Sequence, residues 1–243
     1  MGIEEVRAII RKALAEGRRN LLEPEAKAIC LAYDIPTPPF KVVTSLEDAA
    51  TSAESVGYPV VLKIVSPDIL HKTEVGGVVV GLSSKDAVQS GYRHIMETAK
   101  SRRPDARLTG VLVQKMAPDS IEVIVGSIND PQFGPTILFG LGGIFVEILK
   151  DVVFRIAPLG ERDAREMILE IKGYSALAGY RGFPPADQDA IVNLILSVSR
   201  LVTENPQIDQ MDLNPAMVYE HGALVVDARI LLANSSTGDA TSY

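Results

Sequence analysis

The stretch Val60–Leu82, VVLKIVSPDILHKTEVGGVVVGL, decides how the rest of the chain is read. Two apolar runs rich in β-branched residues flank a short polar segment, the pattern of strand, loop and strand. Lys63 interrupts the first run, where a charged side chain must either reach water or meet an anion. The loop carries His71, one of three histidines, and closes on Gly76-Gly77 before Val78. Such glycines can bring backbone N–H groups close to phosphate oxygens. A strand lysine beside a glycine turn is a candidate nucleotide-phosphate cradle. It is not a Walker loop, because the glycine-lysine-serine/threonine signature is missing.

Outward from this stretch, apolar residues at helical spacing predict helices over about 3–16 and 23–33, the second with Pro24 in its first turn. DIPTPPF then forces an extended turn. KVVT reads as a strand, 45–56 and 83–100 as helices on either side of the Val60–Leu82 unit. After Gly110 the character changes to β-rich segments, GVLVQKMA, SIEVIVGSI, GPTILFGLG and VVFRIAPL. Helices at 161–171 and 185–203 and a hairpin over 210–232 follow. The pattern predicts an α+β chain of two lobes. Its expected parts are an N-terminal helix (1–20), an N-terminal lobe (21–110), a C-terminal lobe (111–232) and a disordered tail (233–243) of small polar residues.

The hairpin carries the second constellation. Asp212 and Asn214 are two apart, so a strand puts them on one face. A two-residue loop at Glu220-His221 would pair Tyr219 with Gly222 and set Asn214 opposite Asp227; a register one residue different would leave them neighbours on opposite faces. Two carboxylates and an amide oxygen suit a hard cation such as Mg²⁺. Asp227, a carboxylate inside LVVDARI, reads as a metal ligand ahead of a plain salt bridge with Arg229 or Arg155. Gln114, Lys115 and Met116 form either an ordinary buried strand or a connector that reads adenine through its backbone. Glu122, the charged residue of its run, either accepts from ribose hydroxyls or faces water. The glycines of LFGLGGIFVEILKD lack dinucleotide-fingerprint spacing and instead permit close approach of another segment or of a phosphate. His94 reads as a surface or packing residue and His221 as a hairpin-tip residue.

Composition sets limits on function. In 243 residues the net charge is −7, which argues against a nucleic-acid partner without excluding an anionic small molecule. The single cysteine, Cys30, sits at helical apolar spacing and reads as a packing residue. No membrane span, secretory leader or myristoylation signal is expected, and the default compartment is a reducing cytoplasm.

These residues taken together resemble the β subunits of ADP-forming acetyl-CoA synthetases, an ATP-grasp family, and more distantly those of succinyl-CoA synthetase. The resemblance runs over about residues 5–232. It rests on VVLKIVSPDILHKTEVGGV, VLVQKMAP, DPQFGPTILFGLGGIFVEILKDVVFRIAPL, YRGFPP and MDLNPAMV…VVDARI. It implies an ATP-grasp fold, two lobes clasping ATP or ADP. Nucleotide contacts would come from Lys63, Glu122 and Gln114–Met116, with Gly76, Gly77 and Val78 as the phosphate loop. Mg²⁺ would sit on Asn214 and Asp227 with Asp212 beside them. The resemblance also implies a separate CoA-binding α subunit with a phosphorylatable histidine, in an α₂β₂ assembly. In this scheme His71 is a second phosphoryl carrier; the alternative is that it only hydrogen-bonds a bound phosphate. Two rival functions are a stand-alone ATP-grasp carboxylate–amine ligase and a non-catalytic nucleotide-sensing module.

Overall fold

The computed structural model describes residues 2–143, 151–179 and 184–234. The chain divides into a smaller unit, Pro38–Pro118, and a larger one made of Met1–Thr37 and Asp119–Tyr243. The expected breaks near residues 20 and 110 are therefore not where the chain divides. The physical reason is packing of the first two helices, α1 (Ile3–Ala15) and α2 (Glu23–Ala32). Their Val6, Ile10, Ala26 and Ile29 join the core built by the C-terminal strands. Likewise β4 (Gly110–Lys115) pairs with β1 (Phe40–Val43) and β2 (Val60–Val65), so the smaller unit closes only after it. Of the expected tail, residues 235–243 lie outside the described residues.

The smaller unit is a four-stranded sheet in the order β1-β4-β2-β3, with β3 at Val78–Leu82. All its pairings are antiparallel. The helix–strand alternation in the sequence thus produces no parallel sheet. Two helices, α3 (Leu46–Val56) and α4 (Lys85–Arg102), cover one face. Ser45 and Ser84 cap them, accepting from Asp48 N at 3.1 Å and Ala87 N at 3.2 Å. Ala49, Ala53, Val88 and Ile95 from these helices pack on Leu62, Ile64, Val111 and Val113. The alternation of a strand then turns Lys63 and Gln114 to the opposite face.

The larger unit has β5 (Ile121–Asp130), β6 (Gly134–Leu141), β7 (Val152–Ile156), β8 (Ile208–Val218), β9 (Ala223–Val225) and β10 (Ala228–Leu232). Its sheet runs β10-β8-β5-β6-β7, with β9 also on β8. Among the described residues after β7 lie the helices α5 (Glu161–Glu170), the one-turn α6 (Tyr174–Leu177) and α7 (Gln188–Glu204). The core face of the sheet presents Val123, Val125, Ile137, Phe139 and Leu213, all fully buried, to α2, α5 and α7. Cys30 is part of this core, and burial pushes its thiol up to about 12, which keeps it inert.

One irregularity positions the site. Val123 faces Ala216 on β8 but Val125 faces Leu213, so β8 carries one extra residue at Asn214-Pro215. An uncorrected slip would turn the apolar face of half the strand outward. The bulge prevents this, since Leu213 and Ala216 are both buried while Asn214 and Pro215 both turn away from the core. The hairpin partner repeats the device: Val225 and Ala228 are buried, and Val226-Asp227 between them is not.

Candidate functional site

In the larger unit, the hairpin takes the first of the two registers considered, the one with a two-residue loop at Glu220-His221. Tyr219 N donates to Gly222 O at 3.0 Å, and Val218, Met217 and Ala216 face Ala223, Leu224 and Val225. Beyond the break Leu213 faces Ala228 and Asp212 faces Arg229 in the same register. Val226 N donates to Pro215 O at 3.0 Å between them. Asn214 therefore stands opposite Asp227. Glu122 alternates with the buried Val123, so it lies on the same outer face as Asp212, Asn214 and Asp227. Four of the expected site residues are thereby gathered on one face of one sheet.

That face is electrostatically loaded. Asp212 is reached by solvent, yet its carboxyl is held above the ordinary carboxylate range. Desolvation by the surrounding fold is the first cause, the Asp227 carboxylate the second, and Arg229 opposes both. Among the described residues no three His, Cys, Asp or Glu side chains converge as a complete metal cluster. A cation of the Mg²⁺ type needs no such cluster. It takes one or two carboxylates and completes its shell with phosphate oxygens and water. An amide oxygen facing a carboxylate, with a second carboxylate already repelled by the first, fits that demand.

The glycines of β6 and its continuation have a structural explanation. A Cβ at Gly140 would lie 2.4 Å from Asp151 O, and one at Gly142 would lie 2.9 Å from Glu122 Cβ. Gly142 N also donates to Glu122 O at 2.7 Å, fixing the backbone that presents Glu122. Close approach of another segment is thus one use of this glycine run. Residues 144–150, the rest of it, lie outside the described residues, as does most of YRGFPP.

In the smaller unit, Lys63 is 5% exposed and Gln114 fully buried, on the sheet face away from the helices. Neither amide atom of Gln114 has a hydrogen-bond partner, an arrangement that costs about 1–3 kcal/mol unless a ligand satisfies it. Lys115 is engaged, its ammonium donating to Tyr58 O. Met116 N donates to Pro59 O at 3.0 Å. The glycine turn is engaged as well. Gly76 N donates to Thr73 O at 3.0 Å and Gly77 N to Lys72 O at 2.7 Å, closing a short 3₁₀ turn, Thr73–Val75, that the sequence did not reveal. Gly76 has φ +66°, and a Cβ at Gly77 would sit 2.5 Å from Ile64 Cγ2. The pair is required by the turn itself.

His71 is exposed. It lies in a short run held at both ends. On one side Asp68 accepts from Arg107 N, Nε and Nη2 at 2.8, 3.0 and 2.9 Å, and Ile69 is buried in the core. The Arg107 guanidinium holds the Asp68 carboxyl down to about 2. On the other side Glu74 O accepts from Arg102 Nη1 at 2.7 Å. A depression of about 340 Å³ beside the ring is lined by Asp68, Leu70, Glu74 and Arg103. His94 and His221 are exposed, on α4 and at the hairpin tip, as expected.

The model of the ATP-grasp domain family matches residues 12–232. The β subunit of acetate–CoA ligase (ADP-forming) I from Pyrococcus furiosus is 50% identical over 230 residues, covering 95% of this chain and 99% of that one. The chain belongs to the β-subunit family of ADP-forming acetate–CoA ligases. A longer member, acetate–CoA ligase (ADP-forming) I of Archaeoglobus fulgidus, is 47% identical over 229 residues, which span 33% of its length. The family therefore exists both as separate β subunits and within larger chains. Among solved structures, the dinucleotide-forming acetyl-coenzyme A synthetase 1 of Ca. Korarchaeum cryptofilum, in complex with coenzyme A and Ca-AMPCP, matches with TM-score 0.92 and 48% identity, over 93% of this chain and 99% of that one. Another structure of that protein holds coenzyme A and Mg-AMPPCP, its phosphohistidine segment pointing towards the nucleotide binding site; the TM-score is 0.84 and the identity 46%, over 94% and 100% of the two chains.

As an ATP-grasp β subunit the chain has a nucleotide-binding role, and no helix among the described residues is long and apolar enough to cross a membrane. One buried group escaped the reading of the sequence. Lys27, on α2, is fully buried, with Nζ 2.8 Å from Val226 O and 3.7 Å from the Glu23 carboxylate. The available signal was a lysine on the apolar stripe of EPEAKAICLA.

Proposed function

We propose that this chain is the nucleotide-binding subunit of an enzyme that converts acyl-CoA, ADP and phosphate reversibly into acid, CoA and ATP, with His71 as a phosphoryl carrier. The observation that carries the reading is the placement of His71. It is an exposed imidazole in a short run between two anchored ends, in a chain whose Korarchaeum relative has a phosphohistidine segment directed at a nucleotide site. Neutral imidazole is a nucleophile near pH 7. It takes a phosphoryl group from a phosphorylated histidine of a CoA-binding partner: one P–N bond breaks as another forms on His71. The P–N bond on His71 then breaks as a terminal oxygen of ADP forms the new P–O bond, and the imidazole is returned neutral.

Each unit carries residues that suit a nucleotide. In the smaller unit, Lys63 supplies a cation for phosphate, and Gln114 offers an unpartnered amide to the edge of a purine beside the Lys115-Met116 backbone. The Gly76-Gly77 turn shapes the approach to Val78, at the edge of its sheet. In the larger unit, Glu122 accepts from ribose, and Asn214 and Asp227, with Asp212 beside them, hold Mg²⁺. The bound ion supplies neutralisation of phosphate charge. The partner is a separate α subunit in an α₂β₂ assembly, in the cytoplasm.

The test is to mix the chain with its α partner, acetyl-CoA, phosphate, Mg²⁺ and ADP. His71→Ala should lower ATP formation by about 10³-fold or more while ADP binding is retained. Turnover near the wild-type rate in that variant would remove the carrier role. Phosphate transfer from ATP to a small acid by the chain alone would instead favour a stand-alone ligase.

A further inference from the structure

The break between β9 and β10 leaves backbone groups without a ladder, and a buried cation occupies that position from below. Val226 N is satisfied by Pro215 O at 3.0 Å, and Val225 N by Pro36 O at 2.8 Å. Their carbonyls turn to the core side. There Lys27 Nζ donates to Val226 O at 2.8 Å and lies 3.4 Å from Val225 O. The lysine is itself held by α2, whose Ala26, Ile29 and Cys30 are core residues, and by Glu23 one turn earlier, 8% exposed. A fully buried ammonium is costly unless it is paired and hydrogen-bonded. A ladder carbonyl beyond a strand end could be satisfied by water at far lower cost. The buried ammonium thus holds the backbone immediately before Asp227. Ala228 N donates to Asp227 Oδ1 at 3.2 Å, so the carboxylate is braced from the next residue as well.

We infer that Lys27 is a positioning residue for the cation site: by fixing the carbonyls of Val225 and Val226 it sets the direction in which Asp227 faces Asn214. This rests on the reading of Asp227 as a metal ligand. Lys27 touches no nucleotide; it acts through the backbone that carries the ligand, as groups behind first ligands commonly do.

The experiment measures ADP binding to the full chain at stepped Mg²⁺ concentrations, and again in EDTA. Lys27→Met should raise the Mg²⁺ half-saturation about tenfold while leaving metal-free ADP affinity unchanged. Lys27→Gln, which keeps one donor, should give a smaller shift, and it provides the measurement if Lys27→Met does not fold. Ile195→Ala, a core truncation in the same unit, controls for lost stability and should leave the Mg²⁺ response in place. Adding Lys27→Met to Asp227→Asn should shift the response no further than Asp227→Asn alone. An unchanged Mg²⁺ response in the Lys27 variants, with Asp227→Asn shifted, overturns the inference and spares the metal reading. So does an equal shift in Ile195→Ala. If Asp227→Asn itself leaves the response unchanged, the metal reading fails and the role of Lys27 with it.

Discussion

Gln114 and Asp68 show how single residues divide the work of the smaller unit. Gln114 is fully buried with both amide atoms unpartnered. Replacing it by Leu removes the desolvation cost of those atoms, so the free chain should gain about 1 kcal/mol in urea unfolding while ADP affinity falls. A stabilised variant with undiminished ADP affinity would show that the amide serves no nucleotide. Asp68 works differently, because its three contacts from Arg107 hold one end of the His71 run. Its carboxyl lies near 2, below the ordinary value of about 3.9. The anchor is therefore fully present above about pH 4 and is lost as the pH falls towards 2. Protection of residues 70–75 against hydrogen exchange, taken relative to the intrinsic rate at each pH, should fall in Asp68→Ala at neutral pH and in the wild type only on strong acidification. Lys63, His71 and Asp227 stood out in the sequence as candidates because each breaks a pattern, a charge or a ring in an otherwise apolar or turn-forming context. Gln114 was ambiguous, since its strand fits a connector and a buried core equally well. Lys27 was not legible, because its meaning comes from a carbonyl 199 residues away.

Elements carry the alignment of the outer face. The extra residue at Asn214-Pro215 and its counterpart at Val226-Asp227 let two strands keep their apolar faces inward while presenting an amide and a carboxylate outward. The pairing was legible once the two-residue loop was assumed, because register follows from the turn and the alternation; the choice against a register one residue different was not. The bulge was not derivable, since it answers the neighbouring strand β5. The hairpin tip is tied to α7 through Asp187. This residue caps the helix by accepting from Ala190 N at 2.9 Å and accepts from Gly222 N at 2.7 Å. Those two donors, Gly222 first, hold its carboxyl below the ordinary range. Its contribution is present above about pH 4 and is lost as the pH drops through the lower folded value. Asp187→Ala should cost about 1–2 kcal/mol in stability at pH 7, and the difference from wild type should shrink in acid. A pH-independent difference would assign the loss to packing alone.

At the scale of the whole molecule, the chain order conceals the units. The first two helices belong with the last strands, since both complete one core. Sequence pattern gave the elements and the α+β class, but no local signal tells a helix which distant sheet will cover it. The proposed reaction is best followed through the phosphoryl group itself. Combining this chain with its CoA-binding partner, acetyl-CoA, phosphate and Mg²⁺, but no ADP, should place acid-labile phosphate on His71. Adding ADP should then discharge it into an equal amount of ATP. Absence of that phosphate from His71 while ATP forms at the full rate once ADP is supplied would contradict the account.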